Sequence, residues 1–408
     1  MSKLNRARAD WVPRVIVSGG GTGGHIFPAV AIADEIKLRY PDAEILFVGA
    51  QGRMEMEKVP KAGYQIEGLP IAGLQRKKWW KNFSWPFKVW RSLQQSKAIL
   101  KRFQPDLAIG TGGYAGGPLL YAAAGKKVPT LILEPNAFAG LANKWLGSRV
   151  DKICIAFNGM ERYFPPHKLI MTGNPVREQM LQNVVKNKKA IVDQGGTPLS
   201  IAKPGVGALG LKQGQGERSR RDKSGGHILL IGGSQGARSL NRALRASAET
   251  IAAQPNIHWT WQCGALYIDE YQHCETAKLP NVTITAFIDR MDEAYSRADL
   301  IIGRAGAMTI AELTYLGKPS LLVPSPNVAE DHQTVNAKAL EKEGATVHMP
   351  DRIINDDLAK TAIELINNPN RLNEIGQAAA KMGSPGAVGR IVDEALALIP
   401  SPKKVVEV

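Results

Sequence analysis

Val15-Ile-Val-Ser18-Gly-Gly-Gly-Thr22-Gly23-Gly24-His25 joins a short β-branched run to five glycines within six residues. The run reads as a buried strand, and the glycines as a turn that brings backbone close to whatever faces it. A helical pattern follows over 29–39, then a second apolar run, Ile45-Leu-Phe-Val48. Strand, Gly-rich turn, helix, strand is the repeating unit of a parallel sheet covered by helices on both faces. The rhythm continues through Leu107-Ala-Ile109, Thr130-Leu-Ile-Leu133 and Lys152-Ile-Cys-Ile155, and then starts afresh. His227-Ile-Leu-Leu-Ile231 runs into Gly232-Gly-Ser234-Gln-Gly236 and a helical pattern over 237–251. Further strands are expected at 257–261, 282–285, 300–302 and 320–323. The fold class is therefore read as α/β, two doubly wound domains facing a cleft that takes the ligand.

A length of 408 residues suits two such domains. The first is expected over 12–177 and the second over 227–385, with a helix at about 386–400 packing back on the first. The stretch 183–226, rich in Lys, Arg, Gly, Gln and Ser, is expected to be an insertion or linker. Hydrophobic residues make up 44% of the chain and charged ones 22%, as in ordinary globular proteins. Three cysteines without metal-ligand spacing read as reduced thiols. Neither a signal peptide nor a membrane span is expected.

The net charge of +15 has two sources. Nine Lys/Arg and no acid lie between Ala72 and Pro105, and nine Lys/Arg against three acids lie between Leu181 and Gly226. The rest of the chain is balanced, and no nucleic-acid-binding module is visible, so no nucleic-acid partner is expected.

The first Gly-rich turn suits an anion, because its backbone N–H groups and the following helix N-terminus both offer positive charge. It is not a dinucleotide fingerprint, since the next strand ends Phe47-Val-Gly-Ala50 without a ribose-binding carboxylate. It is not a Walker loop either, as no Lys-Ser/Thr follows. Gly232-Gly-Ser234-Gln-Gly236 repeats the arrangement, and Gly303-Arg-Ala-Gly306 makes a third such turn ahead of a helix carrying Glu312. Three anion-friendly turns at strand ends suit a diphosphate ligand such as a nucleotide-sugar. Glu312 is then placed for ribose hydroxyls, its bland alternative being a solvated helix residue.

Gly19-Gly-Gly-Thr-Gly-Gly-His25, Gly112-Gly-Tyr114, Gly173-Asn-Pro-Val-Arg177, Gly232-Gly-Ser-Gln-Gly-Ala237, Arg304-Ala-Gly-Ala-Met-Thr-Ile-Ala-Glu312 and His332-Gln-Thr-Val-Asn-Ala337 together resemble the MurG glycosyltransferases. The motifs occur in family order across the chain, apart from the insertion. The resemblance implies a GT-B fold of two Rossmann-like domains, the first facing acceptor and membrane and the second binding the UDP-sugar. It implies an inverting transfer of N-acetylglucosamine from UDP-N-acetylglucosamine to lipid I, with neither metal nor other cofactor. Thr22, Gly23, Gly24 and Asn136 match donor-binding positions of the first domain. Arg177 closes the Gly-Asn-Pro-Val-Arg motif, and Ser234 is the serine of the second loop. Ile288 matches the residue whose backbone reads uracil. Ala307, Met308, Thr309, Ile310, Ala311 and Glu312 correspond to the ribose and diphosphate helix, and Gln333 to the glutamine that recognises sugar hydroxyls. The family commonly has His-Glu-Gln-Asn where this chain has Leu133-Glu134-Pro135-Asn136.

An inverting transfer needs a base, and imidazole titrates near neutrality, which makes His25 the first choice and Glu134 the reserve. The alternative for His25 is a structural histidine bonded to its loop. No Asp-x-Asp motif is present, so loop N–H groups, helix dipoles and Ser234 are expected to hold the leaving diphosphate. Lys77-Lys78-Trp79-Trp80-Lys81-Asn-Phe83 sets aromatic among basic residues and reads as a surface anchor on anionic lipid. Core packing is its alternative, above all for Trp90. The expected location is the cytoplasmic face of the plasma (inner) membrane, as a peripheral protein, with other cell-wall synthesis or division proteins as further partners. Two rival functions are a diacylglycerol glycosyltransferase of the same fold and a non-catalytic UDP-sugar or membrane-binding module.

Overall fold

The computed structural model describes residues 12–71, 73, 85–176, 180–184, 225–233, 236–328 and 331–400. The chain divides into two compact units, 1–176 with 386–408, and 177–385.

In the first unit seven strands form an all-parallel sheet: β1 (Arg14–Gly19), β2 (Glu44–Ala50), β3 (Gln65–Leu69), β4 (Leu107–Gly112), β5 (Thr130–Glu134), β6 (Lys152–Ile155) and β7 (Leu169–Met171). Their order is β3-β2-β1-β4-β5-β6-β7. Successive side chains alternate between faces, so each strand feeds two cores. Val15, Val17, Leu107, Ile109, Leu131 and Leu133 pack under helix α1 (Gly23–Arg39) together with Ile391, Val392 and Ala395 of the C-terminal helix Ala387–Leu396. Ile16, Ala108, Ile132 and Ile153 point the other way. That opposite face is covered by α2 (Trp85–Phe103), α3 (Gly116–Gly125) and α4 (Leu141–Leu146).

The C-terminal helix is held to the first unit by charge as well as by its apolar stripe. Arg39 Nη1 meets Asp393 Oδ1 at 2.5 Å, Lys152 pairs with Glu394, and Arg390 donates to the Thr172 carbonyl.

The second unit has six parallel strands: β8 (His227–Ile231), β9 (His258–Gln262), β10 (Val282–Thr285), β11 (Leu300–Gly303), β12 (Ser320–Leu322) and β13 (Val347–His348). Their order is β10-β9-β8-β11-β12-β13. Helices α5 (Arg238–Arg245), α6 (Ala307–Leu316) and α7 (His332–Lys342) follow β8, β11 and β12.

In each sheet the strand order reverses beside the first strand of its unit, between β1 and β4 and between β8 and β11. Crossovers leave that point in opposite directions, so the strand ends there are not roofed by a connection and a ligand can enter. The three Gly-rich turns follow β1, β8 and β11. Topology has put the three Gly-rich turns at the two open switch points.

Sequence reading placed ten of these strands and left out β3, β7 and β13. All three lie at sheet edges. Edge strands are shielded on fewer sides, and here they are short or half-exposed, so they lack the continuous apolar run that marks a central parallel strand. Among the described residues no helix is long and apolar enough to cross a membrane.

Candidate active site

In the first unit the turn after β1 is shaped by its glycines. Gly21 has φ +83°, and a Cβ on Gly19 would lie 2.2 Å from Thr111 Oγ1, so neither position tolerates a side chain. Thr22, extended at φ −145°, starts α1, and no acidic residue occupies the first helical turn. The turn is held from outside by Glu55, whose carboxylate is 1% exposed. Its Oε2 accepts from Gly21 N–H at 2.9 Å and its Oε1 from Ala50 N–H at 3.0 Å.

His25 is half-buried in the first turn of α1. Its Nδ1 lies 2.8 Å from the Thr111 carbonyl, and Thr111 Oγ1 donates to the His25 carbonyl at 2.6 Å. A carbonyl can only accept, so Nδ1 carries the proton and the basic lone pair of the neutral ring is on Nε2. Gly112, at φ +106°, lets β4 pass against the ring; a Cβ there would sit 2.4 Å from Nδ1.

Glu134, at the end of β5, is only 2% exposed. Oε1 accepts from Asn136 N–H at 3.2 Å and Asn136 Nδ2 at 3.4 Å, and Oε2 from Gly140 N–H and Asn143 Nδ2, both at 2.9 Å. Four donors fill the four acceptor positions of a carboxylate. Burial raises the carboxyl above its ordinary range, and the bonds from Gly140, Asn143 and Asn136 oppose that rise. This environment departs from the one expected of a reserve base, because no acceptor position is left for a substrate proton. The carboxylate instead fixes the loop that presents Asn136.

In the second unit, Gly233 and Gly236 have φ +79° and +76°. Gln262, at the end of β9, accepts from Gly233 N–H at 3.0 Å and donates to the Gly233 carbonyl at 2.8 Å. The third turn is braced by Arg304, which donates to the Val323 and Pro324 carbonyls and meets Asp351 Oδ1 at 2.6 Å and Ser239 Oγ at 2.5 Å. Glu312 is half-buried in α6, and Tyr295 Oη donates to its Oε2 at 2.8 Å. Ala307 and Ile310 are buried, so their side chains serve packing, while Met308, Thr309 and Ala311 are partly exposed. Ile288 is half-buried beside Phe287, which is 55% exposed.

Gln333 lies in the first turn of α7, where its Oε1 accepts from Ser325 N–H at 2.8 Å. That bond leaves the amide NH₂ as its donor side. The helix begins at Asp331, in the left-handed region at φ +52°, and Asn336 ties it to the third turn through the Ala305 carbonyl.

These contacts place His25, Thr22, Gly23, Gly24, Glu134 and Asn136 at strand ends of the first unit, and Ile288, residues 307–312 and Gln333 at strand ends of the second. Arg177, Ser234, Lys77, Lys78, Trp79, Trp80, Lys81 and Phe83 lie outside the described residues, as does most of the basic stretch 183–226.

The Glycosyltransferase family 28 N-terminal domain matches residues 15–155 and its C-terminal domain residues 227–391. A Bacteroides fragilis protein named UDP-N-acetylglucosamine–N-acetylmuramyl-(pentapeptide) pyrophosphoryl-undecaprenol N-acetylglucosamine transferase is 44% identical over 387 residues, 94% of this chain and 95% of that one. A Cytophaga hutchinsonii protein of the same name is 44% identical over 96% of this chain and 98% of its own. The chain belongs to the MurG family. A crystal structure of the family's Acinetobacter baumannii member superposes with a TM-score of 0.73 at 27% identity, covering 94% of this chain and 99% of that one. The two-sheet architecture is thus the GT-B fold of the family.

Sequence motifs include Arg304 but give it no role, and they do not include Glu55, Gln262, Ser239, Asp351 or Asn143. These residues brace the turns, so their importance lies in partners far along the chain. Gln262 alone carries a local signal, a polar side chain closing the buried strand His258-Trp-Thr-Trp-Gln262.

Proposed function

We infer that this chain transfers N-acetylglucosamine from UDP-N-acetylglucosamine to lipid I (undecaprenyl-diphospho-N-acetylmuramoyl-pentapeptide), giving lipid II in peptidoglycan synthesis. The observation that carries this is 44% identity across 94% of the chain to a protein named for that activity. It also favours the reading over a diacylglycerol glycosyltransferase, which would share the fold and the membrane-facing aromatic and basic residues.

The transfer is inverting. The acceptor hydroxyl oxygen bonds to the anomeric carbon of the sugar as the bond from that carbon to the diphosphate oxygen breaks. UDP leaves with the electron pair, and the hydroxyl proton passes to His25 Nε2, the nitrogen that the Thr111 bond keeps basic. Glu134 is a positioning residue that holds Asn136 and the 135–140 loop. Thr22, Gly23 and Gly24 supply backbone donors at the start of α1. Ser234, Arg177 and the N-terminus of α6 counter the leaving diphosphate, so turnover needs no metal. Glu312 takes the ribose hydroxyls, the Ile288 backbone reads uracil, and Gln333 donates to the sugar.

The enzyme meets its lipid acceptor as a peripheral protein at the cytoplasmic face of the inner membrane. Support comes from α2, where Phe87 and Trp90 are 61% and 57% exposed and stack at 5.9 Å, beside exposed Lys88 and Arg91. On α4, which packs against α3, Leu141 and Trp145 are exposed as well, with Trp145 stacked on Tyr121 of α3 and Arg149 over the Trp145 ring. Exposed aromatic and basic groups on α2 and α4 match the headgroup layer of an anionic bilayer, and Trp79, Trp80, Phe83, Lys77, Lys78 and Lys81 extend the α2 pattern in sequence. UDP release, followed with a lipid I analogue across UDP-N-acetylglucosamine, UDP-glucose and UDP-galactose, tests the substrate assignment. Preference for the first donor supports it, and equal use of all three contradicts it.

A further inference from the structure

Gln262 is 3% exposed, and both N–H donors and the oxygen of its side-chain amide are bonded. Oε1 accepts from Gly233 N–H, and Nε2 donates both to the Gly233 carbonyl and, at 3.2 Å, to the Ala286 carbonyl. The Gln262 main-chain carbonyl accepts from Gly232 N–H at 3.1 Å. One residue therefore grips the second Gly-rich turn through side chain and backbone together. Its amide cannot flip, because exchange of O and N would set an NH₂ group against Gly233 N–H and an oxygen against two carbonyls.

The same amide reaches Ala286, just past the end of the adjacent strand β10, in the segment that leads to Ile288. The turn fits closely around this point. A Cβ on Gly236 would fall 2.1 Å from the Cys263 carbonyl, while Gly233 opens away from the protein with nothing within 4 Å of an added Cβ. Gly233 precedes Ser234, and Ala286 lies two residues before Ile288. We propose that Gln262 is a positioning residue that couples the nucleobase and diphosphate halves of the donor site, so that ligand contact with either half restrains the other. This rests on the donor roles given above to Ser234 and Ile288. Without the coupling, Gly233 and 286–288 would be restrained separately for each UDP bound; with it, uracil contact at 286–288 also restrains Gly233.

The test uses the full chain and three probes: uridine, UDP and CDP. In the wild type, uridine alone, which carries no phosphate, should slow hydrogen exchange at Gly233 N–H as well as at 286–288. Gln262→Met keeps the side-chain length and removes all three bonds. It should weaken UDP binding about tenfold or more and shrink the preference for UDP over CDP by a similar factor, with uridine no longer protecting Gly233. A merely structural role would lower the melting temperature and leave both ratios unchanged, and that result overturns the proposal. So does uridine protection in the wild type confined to 286–288, a measurement that stands even if the variant fails to fold. Failure of wild-type protein to bind UDP at all would instead sink the donor-site reading beneath it.

Discussion

His25 and Glu134 have the same kind of neighbours and opposite consequences. The imidazole donates one N–H to a carbonyl and keeps a basic nitrogen, whereas the carboxylate spends all its acceptor positions on its own loop. His25→Ala should therefore lower kcat by about 10²–10⁴-fold, the usual worth of a positioned base, with UDP affinity little changed. UDP binding alongside single-turnover rates checks this. Glu134→Gln should act on folding first. Burial raises the Glu134 carboxyl above its ordinary value, so the folded state holds that proton more tightly than the unfolded chain does. Stability then falls as pH rises from the ordinary carboxyl range through the raised one. The Gln variant lacks that slope but leaves N–H donors of Gly140 and Asn143 facing an amide, at a cost of about 1–3 kcal/mol. Thermal melts at about pH 4.5 and pH 8 should show the gap between wild type and variant narrowing at the higher pH.

At the scale of elements, central strands and Gly-rich turns were legible because a buried parallel strand needs an unbroken apolar run and a close turn needs glycine. The edge strands and the bracing residues were not, since their sequence signals are short or non-local. The aromatic residues of α2 show the limit most clearly. Trp90 could be read as core, yet it is exposed and stacked on Phe87, while Ser92, Ser96 and Ile99 face inward. Replacing Phe87 and Trp90 with Ser should leave the melting temperature close to wild type and reduce flotation with anionic vesicles. The burial of such rings in the headgroup layer is worth on the order of 2 kcal/mol each. A lowered melting temperature with unchanged flotation would refute the anchor. The C-terminal helix gives the opposite case. Ile391 is fully buried against α1 and the first sheet, so Ile391→Ala should destabilise the first unit by about 2–5 kcal/mol. Hydrogen exchange resolved by unit should find the loss in 12–176 and leave 227–385 unaffected.

The whole molecule repeats one solution twice: a parallel sheet whose order reverses beside its first strand, with a Gly-rich turn at the reversal. That repetition explains why the family could be read from motifs scattered over the chain. Each motif is a turn or helix start that follows a strand. The central claim is sugar transfer to a lipid-diphosphate acceptor, and the most direct measurement follows labelled N-acetylglucosamine from UDP-N-acetylglucosamine into extractable lipid. A soluble lipid I analogue and diacylglycerol would be offered side by side, with and without EDTA. The account predicts label on the lipid I analogue alone, in β linkage, at a rate that chelation does not change. Label on diacylglycerol, or UDP released with no label in either lipid, would contradict it.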